Sequence, residues 1–138
     1  MLTVAEIVED VRTRGGRVTP QRVAVIEAIY GSTNHPTVDE IFDYIADSQP
    51  SLSRKTVYQI IYDLEEMGAI SLVDVGTGQL RIDPTIEHEH DHFVCTTCKC
   101  VFDIERTKRS VPQLRAFEFG NIDTMDVVYR GVCNSCSN

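Results

Sequence analysis

The sequence predicts an α+β chain, with an amino-terminal winged helix over residues 1–83 and a smaller α/β unit over residues 84–138. Three observations carry that expectation. Apolar residues recur at helical spacing in four segments before residue 68, two short apolar runs then flank a glycine turn, and all five cysteines fall after residue 94. With 138 residues, 42% hydrophobic and 25% charged, the chain suits one compact domain or two small ones.

Residues 3–14 carry Val4, Ile7, Val8 and Val11 on one helical face, and Gly15 and Gly16 end the helix. Thr19 caps a second helix with Pro20 at its first position; Val23, Ile26 and Ile29 with Ala24 and Ala28 face inward up to Gly31. Thr37 to Glu40 forms a capping box for a third helix, whose expected buried stripe is Ile41, Tyr44 and Ile45. Ser53 caps a fourth, Arg54 to Met67, with Val57, Ile60, Ile61 and Leu64 inward and Gly68 as the stop. Ala69 to Val75 and Gln79 to Ile82 then form a hairpin around Gly76-Thr77-Gly78.

A formal charge of −8 means nucleic acid is held only by a locally basic patch. Two such patches exist. Arg12, Arg14, Arg17 and Arg22 lie in a stretch free of acids, and Arg54 and Lys55 open the fourth helix, where cations and backbone amides meet phosphates. Tyr58, Gln59 and Tyr62 on its outer side are placed to reach base edges; a merely solvated helix face is the other reading. The longest apolar run, Val23 to Ile26, excludes a membrane-spanning segment, and a cytoplasmic location is expected.

Cys95 and Cys98, and Cys133 and Cys136, form two C-x-x-C knuckles, the arrangement of a tetrahedral Zn2+ site. Disulfides, a redox motif or a rubredoxin-like iron site are the alternatives. His90 and His92 share one side of a strand running into Cys95, with Asp103 on the next strand-like run, Asp83 before the linker and His35 far back in the chain. These offer nitrogen and oxygen to Fe2+, Mn2+, Zn2+ or Ni2+, and the residues alone fit a surface histidine cluster equally well. Cys100 reads as an inert strand residue, and no catalytic constellation stands out, so the chain is not expected to be an enzyme.

Five segments, in order, resemble the ferric uptake regulator (Fur) family: Arg17 to Arg22, His35 to Ile41, Thr56-Val57-Tyr58 with Leu64 and Gly68, His90 to Cys98, and Gly131 to Cys136. The resemblance implies a homodimeric, metal-dependent repressor binding a double-stranded DNA operator, with a carboxy-terminal dimerisation domain. It implies structural zinc on Cys95, Cys98, Cys133 and Cys136, and a regulatory Fe2+ or Mn2+ on His35, Asp83, His90, His92 and Asp103. It also implies DNA contacts from Arg17, Gln21, Arg22, Arg54, Lys55, Tyr58 and Gln59.

Asp at both carboxylate positions, Asp83 and Asp103, is similar to the peroxide-sensing (PerR-like) branch, in which Fe2+ and peroxide oxidise a ligand histidine, here His35 or His90. Manganese gives a peroxide-insensitive form in that branch. The tail from Phe117 to Cys136 also resembles actinobacterial members associated with catalase genes. Gln59 stands where the family commonly has Arg, Lys99-Cys100 replaces Gly-Lys, and Met125 replaces a histidine of an additional metal site that would use Glu89 and Asp91. The alternatives are a repressor reporting iron, zinc or nickel sufficiency without oxidation chemistry, and a zinc-stabilised interaction or redox module that binds no DNA.

Overall fold

The structure is a computed structural model describing residues 2–32, 34–107, 120 and 123–138. Its chain divides into two compact units, Met1–His88 and Glu89–Asn138. The first unit thus runs past the join expected at Pro84.

Four helices and a hairpin build the first unit: α1 (Val4–Thr13), α2 (Pro20–Gly31), α3 (Val38–Ile45), α4 (Arg54–Glu66), β1 (Ser71–Val73) and β2 (Arg81–Asp83). Thr19, Thr37 and Ser53 each cap their helix by accepting a backbone N–H from three residues on. A capping box that the sequence reading missed, Thr3 with Glu6, starts α1. The amphipathic faces converge on one core, with Ile7, Val11, Ile26, Ile29, Ile41, Val57, Ile61 and Leu64 all buried. In α2 the expected Ile26, Ala28 and Ile29 are buried, but Val25 joins them while Val23 and Ala24 are only half-buried.

Tyr44 is a correction. It is 78% exposed, and the buried face of α3 is Val38, Ile41 and Ile45 with Phe42 partly buried beside it. The i, i+3, i+7 line through these residues leaves position 44 on the flank that turns to water. The hairpin strands are shorter than expected and pair antiparallel with Leu72 opposite Ile82. Ala69, Ile70 and Val75, outside the ladder, are buried.

The second unit is a three-stranded sheet in the order β4-β3-β5, formed by β3 (His90–Cys95), β4 (Val101–Glu105) and β5 (Val128–Gly131). Strand β3 is central, antiparallel to β4 and parallel to β5. Phe93 faces Phe102 on one side and Tyr129 on the other, so an aromatic row crosses the sheet. The resemblance read at Phe117 lies outside the described residues. Among the described residues, no helix is long and apolar enough to cross a membrane.

Candidate metal centres and nucleic-acid face

The parallel pairing of β3 with β5 sets Cys95 opposite Gly131 and so brings the two knuckles side by side. Thr96 N–H donates to the Gly131 carbonyl at 2.7 Å, locking them. A Cβ at position 131 would lie 3.1 Å from the Phe93 ring, which favours glycine just before the second knuckle. One sulfur from each of Cys95, Cys98, Cys133 and Cys136 lies within 4.8 Å of the others. Cys98 Sγ and Cys133 Sγ are 3.8 Å apart, the edge of a tetrahedron whose centre lies about 2.3 Å from each sulfur, the zinc–thiolate distance. The donor set fits Zn2+.

Backbone N–H groups of Cys133 and Cys98 donate to Cys95 Sγ at 3.4 and 3.5 Å, and these bonds pull its thiol down to about 5. The neighbouring thiols of Cys133 and Cys98 push Cys136 up to about 12. Four adjacent thiolates need a cation to exist together. Cys100 stands outside the cluster and contributes its carbonyl, which accepts from Cys95 N–H at 3.0 Å. Lys99 holds the left-handed conformation at φ 64°, and its ammonium donates to the Thr96 carbonyl at 2.8 Å.

The nitrogen and oxygen ligands expected from the sequence form a group in each unit. In the first, His35 sits at φ 46° in a loop stitched to β2: Ile82 N–H donates to the Pro36 carbonyl at 2.8 Å, and His35 Nδ1 meets the Ile82 carbonyl at 3.2 Å. Since a carbonyl only accepts, a hydrogen bond there requires the ring proton on Nδ1. Asp83 Oδ1 is 3.7 Å from the same ring, and both residues are buried. In the second unit, His90 Nε2 and His92 Nε2 lie 3.5 and 3.7 Å from one oxygen, Asp103 Oδ1. Register explains this: His92 pairs with Asp103 across β3 and β4, and His90 lies two residues along on the same face. A metal about 2.1 Å from each donor sets such atoms about 3.0–3.4 Å apart, so a small contraction would seat one.

Four of the seven expected DNA contacts, Arg22, Arg54, Tyr58 and Gln59, gather around the carboxylates of Asp39 and Asp63. Arg54 pairs with Asp39, lies 4.0 Å from Asp43 and stacks over the Phe42 ring; the Tyr58 hydroxyl donates to Asp39 at 3.3 Å. Arg22 and Gln59 both donate to Asp63, each at 2.8 Å. Arg17 and Lys55 are exposed and Gln21 is half-buried in the first turn of α2. Gln59 and Asp63 are one helical turn apart on α4, but no sequence spacing signals the pairings of Arg54 and Tyr58 with Asp39 or of Arg22 with Asp63, whose partners lie 15, 19 and 41 residues apart.

Arg106 was likewise missed. Its guanidinium is 10% exposed and meets Asp91 Oδ1 through Nε at 2.8 Å and Nη2 at 2.6 Å. It also donates to Glu89 at 3.1 Å and to the carbonyls of His90 and Met125 at 3.4 and 2.9 Å. The paired acids hold the guanidinium's pKa above its ordinary value.

Comparison with known proteins agrees with the geometry. The profile of the Ferric uptake regulator family matches residues 13–128, most of the sequence. The chain belongs to that family. Among its Fur-family relatives, the transcriptional regulator FurA of Mycobacterium tuberculosis is 29% identical over 139 residues, spanning 99% of this chain and 94% of FurA. The peroxide-responsive repressor PerR of Staphylococcus aureus is also 29% identical, over 96% of this chain and 90% of its own. The fold matches the solved Fur of Helicobacter pylori with a TM-score of 0.75 at 20% identity, covering 99% of this chain and 95% of that one. Fur-family membership makes this chain a metal-responsive transcriptional regulator.

Proposed function

We propose that the protein is a homodimeric, DNA-binding repressor that senses hydrogen peroxide through Fe2+ held by His35, Asp83, His90, His92 and Asp103. The observation that carries the reading is the convergence of two imidazole nitrogens on one Asp103 oxygen. His35 and Asp83 supply a matching buried pair from the winged-helix unit, so one ion bound by both sets ties reading heads to dimer base and fixes the spacing of two half-sites. Fe2+ held there would supply the redox chemistry by which peroxide gives one oxygen atom to His35 or His90 and leaves as water; the oxidised ring would no longer serve as a ligand and DNA would be released, whereas Mn2+ held there would leave the repressor insensitive.

Residues 1–83 are the DNA-binding domain in this reading and residues 84–138 the dimerisation and sensing domain. The exposed Phe102 and Tyr129, aligned through Phe93, form the apolar surface a second copy covers. Arg17, Gln21, Arg22, Arg54, Lys55, Tyr58 and Gln59 face the operator, with the basic side chains on phosphates and Gln59 at a base edge. The protein acts in the cytoplasm.

Peptide mass spectrometry after peroxide treatment tests this. Fe2+-loaded protein should gain one oxygen on His35 or His90 and lose DNA binding, whereas Mn2+-loaded protein should do neither. Unmodified histidines with binding that still requires metal would establish the second reading, a metal-sufficiency repressor, which the equal identity to FurA and to PerR also supports.

A further inference from the structure

We infer that Arg106 is a positioning residue for the metal-binding strand, an inference that rests on the proposed regulatory site. Asp91 lies between His90 and His92 on β3, on the opposite face of the pleat, and is fully buried. Its Oδ1 carries both contacts to Arg106, while its Oδ2 is buried with no hydrogen-bond partner among the described residues. The charge of Asp91 is therefore balanced through that one oxygen by the Arg106 guanidinium.

The other guanidinium bonds give the clamp its direction. Arg106 follows the last residue of β4, bonds the His90 carbonyl on β3, and bonds the Met125 carbonyl in the segment entering β5. One planar group thus ties all three strands together at the end of the sheet where His90, His92 and Asp103 converge. Because the His90 carbonyl and the Asp91 carboxylate are both held, β3 cannot slide or twist against β4, and the two imidazoles keep their aim at Asp103. The zinc knuckles lie at the far end of β3, beyond Val94, and their geometry does not pass through this clamp.

The test is Co2+ titration of the zinc-loaded full-length protein, read by absorption. Arg106→Gln should weaken second-site Co2+ binding about 10–100-fold, the range for partners that orient metal ligands, and change the d–d envelope while zinc content stays at wild-type level. Arg106→Lys, which keeps the charge and loses the fork, should restore part of the affinity. Since Arg106→Gln leaves a buried carboxylate that can unfold the unit, the double variant Asp91→Asn with Arg106→Gln removes the stranded charge. That variant, folded and with weakened Co2+ binding, upholds the inference; wild-type affinity and spectrum in it, or in Arg106→Gln, overturn it. Loss of zinc and fold in all three variants also overturns it, by making Arg106 merely structural. Asp103→Ala separates the two readings. If wild type takes no second Co2+, the proposed function fails and this inference with it; if Asp103→Ala loses Co2+ while the Arg106 variants keep it, only the Arg106 role fails.

Discussion

The two units solve the problem of folding in opposite ways. Met1–His88 buries a continuous cluster of apolar side chains from four helices and the wing, from Ile7 to Ile82. Among the described residues of Glu89–Asn138, the buried apolar side chains are only Val94, Cys95 and Val101. So short a segment removes little apolar surface from water, and its four clustered sulfurs are placed to take over that task once a cation joins them. Stability in the first unit is built in. In the second, under the proposed reading, it would be conditional on an ion held by the four sulfurs.

Removing zinc should break the comparison most visibly. Chelation under reducing conditions, or Cys133→Ser, should abolish amide protection in β3, β4 and β5 while α4 keeps its protection in hydrogen exchange. Equal loss in both units would show that the first depends on the second. Next, Leu64→Ala should cost about 2–5 kcal/mol in the first unit, since Leu64 is fully buried there. Denaturant unfolding should show that loss with zinc content unchanged.

Smaller effects sharpen the picture. Thr37→Ala removes the side-chain half of the α3 capping box and should destabilise the first unit by about 1 kcal/mol in the same measurement. Tyr30, half-buried with its hydroxyl donating to the Ala69 carbonyl at 3.3 Å, is pushed by burial up to about 12 from an ordinary 10. Its neutral form therefore contributes stability that is complete below pH 10 and lost as pH rises through about 12. Ultraviolet titration should show a tyrosine ionising near pH 12 that Tyr30→Phe removes.

Much of the first unit was legible because its determinants are local. Threonine and serine caps, glycine stops and apolar spacing act within one or two turns, and α2, α3 and α4 start where the caps set them. Tyr44 escaped that logic: whether a flanking aromatic lies in or out depends on the neighbouring helix, and Phe42 took the place beside Val38 and Ile45. The knuckle spacing likewise named its four cysteines, because a metal demands those donors whatever the fold.

The sequence by itself determined the helix caps, the cysteine tetrad and the histidine pair on one side of β3, all of which follow from short-range periodicity and ligand chemistry. Tertiary structure alone decided which carboxylates the charged side chains would meet. Asp63 receives Arg22, Asp39 receives Arg54, and Asp91 receives Arg106. A long side chain reaches partners on any neighbouring element, so its choice is fixed only when packing and strand register set those elements in place.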